Sequence, residues 1–257
     1  MKRLSLALTA LIFCVISGML IGLVLYSPLP VLLASLANPE IQFAILLSLV
    51  TSVISTLICI AIAIPVAYAL ARYTFPGKAI ASLVLTLPLT LPPLVAGIAL
   101  LLFFGTTPWG RALESAGFGV IFTPLGIVVA EVFVNLPYMV RILRSSFAAI
   151  NPRFEHVART LGCTETGAFF RVTLPMARPG LLAGTVITWS KAMGEFGAVL
   201  MLAGATTMRT ETLPIALYLN ISTGDVDLAV AAATLLILIS LVALCTVEYL
   251  DRDVHVF

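Results

Sequence analysis

Glu131, Lys191 and Glu195 are the residues whose chemistry is hardest to place, because each stands within a long apolar stretch. A charged side chain at the centre of a bilayer costs ~2.5–3.5 kcal/mol on insertion scales, so all three are expected to face protein or water. A lysine at that depth has two uses: it can attract a passing anion, or it can be held by a carboxylate and fix helix packing. Pairing is the preferred reading, because two ionised carboxylates beside an anion path would repel the anion. At a rise of ~1.5 Å per residue, Lys191 lies ~15 Å deep and Glu131 ~18 Å deep, both near mid-membrane. Glu195 is one turn beyond Lys191 on the same face, but Lys before Glu is the less favourable order at this spacing. An interhelical Lys191–Glu131 pair is the alternative. Asn135 shares a face with Glu131 and is expected to act as interhelical hydrogen-bond glue.

A second group is conformational. Pro88, Pro92 and Pro93 interrupt one apolar run near its middle; each removes a backbone donor and kinks a helix. Freed carbonyls are tolerated where they face a cavity, and Thr86 and Thr90 are placed to help satisfy them. A static kink and a role in a translocation pathway both remain open. Gly18 and Gly22 form a small-xxx-small pair that implies a close helix contact.

These residues need helices to hold them. The chain is 61% hydrophobic and 10% charged, which is not the composition of a soluble domain. Its apolar runs exceed the ~20 residues that span a bilayer, and backbone groups in hydrocarbon must be satisfied internally, so the runs are helices. The expected fold is all-α and polytopic, with six spans at about 4–25, 44–71, 79–104, 119–143, 181–204 and 228–249 in a single domain. The first run is too long for a signal-peptide core and is read as a retained span. With the N-terminus inside, eleven Lys and Arg fall on the inner side against Arg111 and Arg209 outside, so both termini are expected in the cytoplasm. No basic soluble face exists for nucleic acid. Cys14, Cys59, Cys163 and Cys245 lack metal-ligand spacing, and there is no G-x-x-x-x-G-K-[ST] loop; no cofactor is expected, and any ATPase must be another chain.

The longest cytoplasmic stretch carries a pattern of its own, at about 151–175. Pro152 can open a short helix with Glu155 near its positive end, and Gly162 is a natural stop. Phe154, Val157, Ala158 and Leu161 recur at helical spacing and give an apolar face suited to a partner's groove.

The loop resembles the EAA loop of ABC-importer permeases: Glu155, Ala158, Gly162, Leu174 and Pro175 fall in register with it, while His156 and Val157 replace the usual small residues. The resemblance extends over about Ser48 to Leu217, through Ile64–Arg72, Leu87-Pro88 and Leu91-Pro92-Pro93. Gly194-Glu195-Phe196-Gly197-Ala198 looks like the molybdate/tungstate branch, which is related to sulfate/thiosulfate permeases. The resemblance implies that Glu155, His156, Val157, Ala158, Leu161 and Gly162 form a coupling helix docking on a dimer of ABC ATPase subunits. It also implies a second copy of the chain, an external oxyanion-binding protein, and a prokaryotic plasma-membrane location. The third and fifth spans would border the pathway, making Pro88, Thr90, Pro92, Pro93, Lys191, Gly194, Glu195, Phe196 and Gly197 its candidate residues. This chain would be no enzyme. An ion-coupled secondary transporter would want internal repeats, and an intramembrane enzyme a nucleophile–base pair or metal ligands at matching depth; neither is detected.

Overall fold

The computed structural model describes residues 2–26 and 29–252, with side chains over 4–26, 30–242 and 244–245. These residues are helical throughout, joined by turns. In chain order the helices are α1 (Lys2–Tyr26), α2 (Leu29–Leu36), α3 (Pro39–Arg72), α4 (Lys78–Thr86), α5 (Pro93–Thr106), α6 (Pro108–Ser115) and α7 (Pro124–Ala149). They continue with α8 (Arg153–Thr160), α9 (Glu165–Ala168), α10 (Leu174–Met176), α11 (Arg178–Met193), α12 (Gly197–Ala203), α13 (Leu213–Thr223) and α14 (Val226–Arg252). A 3-10 turn, Leu87–Leu89, follows α4, and a π-helical turn, Phe169–Thr173, follows α9.

The long helices start where the sequence offers caps. Asn38 accepts the Glu40 N–H ahead of α3, and Thr123 accepts the Gly126 N–H ahead of α7, each followed by proline at the first helical position. That cap makes α7 begin at Pro124 rather than at 119.

Helix α3 turns its small residues inward. Ala44, Ser48, Thr51, Ser52, Ser55, Cys59, Ala63 and Ala67 are buried, while Leu46, Val50, Val53, Ile54 and Leu57 are exposed. Large apolar side chains outward and small ones at the contact is the arrangement lipid favours, since close packing rather than water exclusion joins helices there. Helix α7 lies at the centre, packed on α3, α5, α11 and α12. Gly180 and Gly184, one turn apart on α11, press on Ser146 and Met139 of α7, where an added Cβ would overlap Ser146 Oγ. This is the small-xxx-small contact the fold uses. At Gly18 and Gly22 an added Cβ would meet no atom of this chain within 4 Å.

Helices α1, α3 and α7 are each long and apolar enough to cross a membrane, and there are up to five such spans if each bent pair counts as one. The run expected as one kinked third span is two helices: Lys78–Leu89 and Pro93–Thr106 meet at 112°. Pro88, Pro92 and Pro93 remove three backbone donors within six residues, more than a kink can absorb. The fifth run breaks at 194–196 and bends by 57°. Between the fifth and sixth runs, the stretch after Thr212 forms α13, whose Leu213, Pro214, Ile215, Ala216 and Asn220 are buried against α3 and α14. Lys2, Arg3 and Arg252, which enter the expectation of cytoplasmic termini, lie outside the described side chains.

Candidate functional site

The site begins at Glu155, on the first turn of α8. Its Oε1 accepts from Arg72 Nε at 2.9 Å and Thr173 Oγ1 at 2.8 Å, and its Oε2 from Tyr68 Oη at 2.9 Å. Arg72 also donates from Nη2 to Ile150 O at 2.9 Å. Tyr68 and Arg72, one turn apart at the end of α3, therefore hold α8 from one side, and Thr173 of the π turn holds it from the other. The Tyr68 ring sits edge-on to Phe147 and Phe169, with centroids 5.8 and 4.7 Å away, which closes the apolar side of the junction. Burial alone raises the Glu155 carboxyl. The hydrogen bonds from Thr173, Tyr68 and Arg72, with the Arg72 charge, outweigh it and leave the group below the usual glutamate range. Next to this junction the Tyr73 hydroxyl donates to Glu165 at 2.7 Å, and that bond, with burial, raises the phenol.

Glu155 thus points into the protein, and Ala158 is buried beside it. The outward face of α8 carries Phe154, Val157 and Leu161, which are 51%, 57% and 81% exposed. His156 lines a cleft with Tyr68, Arg72 and Arg159. Gly162 ends the helix at φ +95°; its N–H donates to Arg159 O and that of Cys163 to Ala158 O, the paired bonds of a Schellman stop.

The two motifs expected in the pathway meet. An added Cβ on Gly197 would stand 2.8 Å from Pro93 Cβ and 3.0 Å from Leu94 N, and one on Gly97 would stand 2.7 Å from Met201 Cβ. Helices α5 and α12 therefore touch through glycines immediately beyond their breaks. Glu195 Oε1 accepts the Ala198 N–H at 3.0 Å, capping α12, and Phe196 packs on Tyr218 of α13, 5.4 Å between centroids. Thr90 sends both its hydroxyl and its N–H to Leu87 O. Pro88 and Thr90 lie in the turn before α5, and Pro92 precedes its first residue.

The intramembrane charges do not pair as expected. Among the described residues the ion pair within 4 Å is Arg72–Glu155. Glu131, 1% exposed, accepts instead from Thr51 Oγ1 of α3 at 3.0 Å. Its Oε2 and both amide atoms of Asn135 are buried with no hydrogen-bond partner among the described residues. Lys191 stands over the Tyr138 ring of α7, Nζ 4.2 Å from the centroid. Glu195 turns away because the open N–H groups at the start of α12 offer it a bond, and Glu131 faces α3 rather than α11. Sequence reasoning therefore missed Thr51, Tyr68, Arg72, Tyr138 and Thr173 as partners. A signal existed for Tyr68 and Arg72, which share one helical face at the cytoplasmic end of their span.

The chain is similar to known proteins in both sequence and fold. The family described as binding-protein-dependent transport system inner membrane component matches residues 61–256. The molybdenum transport system permease protein ModB of Mycobacterium tuberculosis is 40% identical over 210 residues, 80% of this chain and 78% of that protein. ModB of Escherichia coli K12 is 36% identical over 220 residues, 84% of this chain and 96% of that protein. The sulfate transport system permease protein CysW of Synechocystis is 36% identical over 219 residues, 85% and 79% of the two chains. In fold, the chain is similar to one in a crystal structure of a bacterial ABC transporter that imports the acidic polysaccharide alginate. The TM-score is 0.79 at 18% identity, over 98% of this chain and 95% of that one. The chain belongs to the family of binding-protein-dependent transport system inner membrane components, and is a multi-pass membrane permease subunit of an ABC importer.

Proposed function

We propose that this chain forms half of the pore of an ATP-driven importer for molybdate and tungstate. One observation carries the coupling part of that reading: α8 exposes an apolar face while its single acidic residue is clamped to α3 and to the turn leading into α11. A push on α8 is thereby delivered to two spans at once. Counting α4 with α5 and α11 with α12 gives five spans; in this reading α14 is the sixth, and both termini are cytoplasmic. The bond from Arg144 Nη1 to Ser82 Oγ, at 2.6 Å, supports a cytoplasmic position for α4, because basic residues favour that side.

The partners in this reading are a dimer of ABC ATPase subunits at α8, an external oxyanion-binding protein, and a second copy of the chain about a two-fold axis. ATP hydrolysis belongs to the partner, and this chain supplies the wall that switches between inward- and outward-facing states. Sulfate or thiosulfate is the second reading, supported by relatives named as sulfate permeases at similar identity. Uptake by proteoliposomes holding this chain, its ATPase and its binding protein decides between them. Molybdate uptake that a large excess of sulfate does not suppress supports the first reading; uptake of sulfate alone supports the second.

A further inference from the structure

Lys191 stands well inside an apolar run, away from its ends, and its surroundings differ from those of a structural ion-paired lysine. Neither Glu131 nor Glu195 comes within 4 Å of it. Each has other work: Glu131 accepts from Thr51 between α3 and α7, and Glu195 accepts the Ala198 N–H at the start of α12. What holds the ammonium is the face of Tyr138, 4.2 Å away. A ring face attracts a cation through its quadrupole and leaves the charge in place. The ammonium is thus positioned by a ring face with no carboxylate within 4 Å, and the Glu195 carboxylate acts on it only from beyond that distance.

Its exposure adds a direction. Lys191 and Tyr138 are both half-buried, so the pair reaches the surface of the single chain part-way along α11 and α7. An ammonium does not face acyl chains at that depth, so this surface is covered by water or by protein. A fixed cation at the wall of a water-filled, low-dielectric passage concentrates anions. One such contact per subunit also suits transport, where binding must be favourable enough to enter and weak enough to leave.

We infer that Lys191, carried on the Tyr138 ring, is the group through which this subunit contacts the translocating oxyanion, and that the α7–α11 surface at these residues faces the pathway. This rests on the oxyanion-importer reading above. If two copies line the pore, two ammonium groups match the two charges of a tetrahedral dianion. The recognised feature is the dianionic charge shared by molybdate, tungstate and sulfate, so selection among them lies elsewhere. Lys191 also stands one turn before the break at 194–196, so movement at that break repositions the cation.

The test uses the full importer in proteoliposomes, with initial molybdate uptake normalised to assembled complex. K191M is expected to lower uptake at sub-saturating anion by about tenfold or more, while K191R keeps most of it. Y138F, which retains a ring face, should behave like the unmodified chain, and Y138L should fall towards K191M. Uptake by K191M within about twofold of the unmodified chain overturns the inference. If K191M fails to assemble, the tyrosine pair decides, and equal uptake by Y138F and Y138L overturns it. An unmodified importer that moves no tetrahedral oxyanion overturns the underlying reading, a result distinct from failure of K191M alone.

Discussion

Arg72 at the last turn of α3 and Glu155 at the first turn of α8 are joined at 2.9 Å, with side chains only 9% and 12% exposed. Removing one partner of a largely buried pair strands the other, at a cost of about 3–5 kcal/mol. E155A should therefore lower the thermal stability of the purified chain and abolish coupled uptake. Exchanging the charges with R72E and E155R together is not expected to rescue it, because a carboxylate at position 72 would face the Ile150 carbonyl that Arg72 now donates to, two acceptors with no donor between them. Scanning calorimetry and coupled-uptake assays on E155A and on the R72E/E155R double variant check both statements.

The same contact has a pH signature. Glu155 has a folded-state pKa held below its unfolded value, so its contribution to stability is fully present above the unfolded glutamate range near ~4.3. It is lost as pH falls through the lowered folded value. The difference in melting temperature between the unmodified chain and E155Q should be constant from neutral pH down to about 5 and then shrink. A difference that grows on acidification would contradict the geometry.

On the outer face of α8, L161D and V157D should reduce co-purification of the ATPase subunit while leaving the melting temperature of the isolated chain nearly unchanged, since neither residue is buried. G162A works differently: a Cβ at φ +95° is strained, by about 1–2 kcal/mol, and it should weaken docking by unwinding the end of the helix. Pull-down titration against the ATPase separates the two effects.

G197A tests the contact between α5 and α12. The added methyl would press on Pro93 and the backbone of Leu94, and overpacking of this kind costs about 1–3 kcal/mol. Thermal unfolding in detergent should register that loss, with uptake reduced further because the contact lies between the two breaks.

For Glu131, the bond from Thr51 needs an acceptor and not a charge. E131Q keeps an oxygen there and should stay within about 1 kcal/mol of the unmodified chain. E131A removes the bond and leaves a cavity, costing about 2–4 kcal/mol. Comparison of chemical unfolding midpoints is the measurement.

Much of the helix inventory was legible from apolar run length, and α8 from Pro152, Glu155 and Gly162. What was not legible depended on which way a side chain turns. Glu155 reads as a docking residue in sequence and is an internal clamp in space, since Tyr68 and Arg72 lie more than eighty positions away. Lys191 and Glu195, a turn apart, look like a pair until the helix breaks between them and offers Glu195 free N–H groups. The prolines at 88, 92 and 93 signalled a distortion, but its size was set by packing of α5 on α12, which no local pattern encodes. The small-xxx-small pair in contact is Gly180 and Gly184, where α7 presses on both glycines, whereas an added Cβ at Gly18 or Gly22 meets nothing within 4 Å.

The break at 194–196 turns α11 into an arm. Its sixteen residues make it about 24 Å long, so a tilt of about 10° about Gly194 sweeps its cytoplasmic end through about 4 Å. Thr173, just upstream of that end, is tied to α8. In the proposed reading, displacement of a partner docked at α8 by a few ångströms would be geared down to a small rotation at the 194–196 break, with α12 beyond it staying seated on α5. Stroke length at the cytoplasm and angle at the membrane centre are linked by the length of one helix.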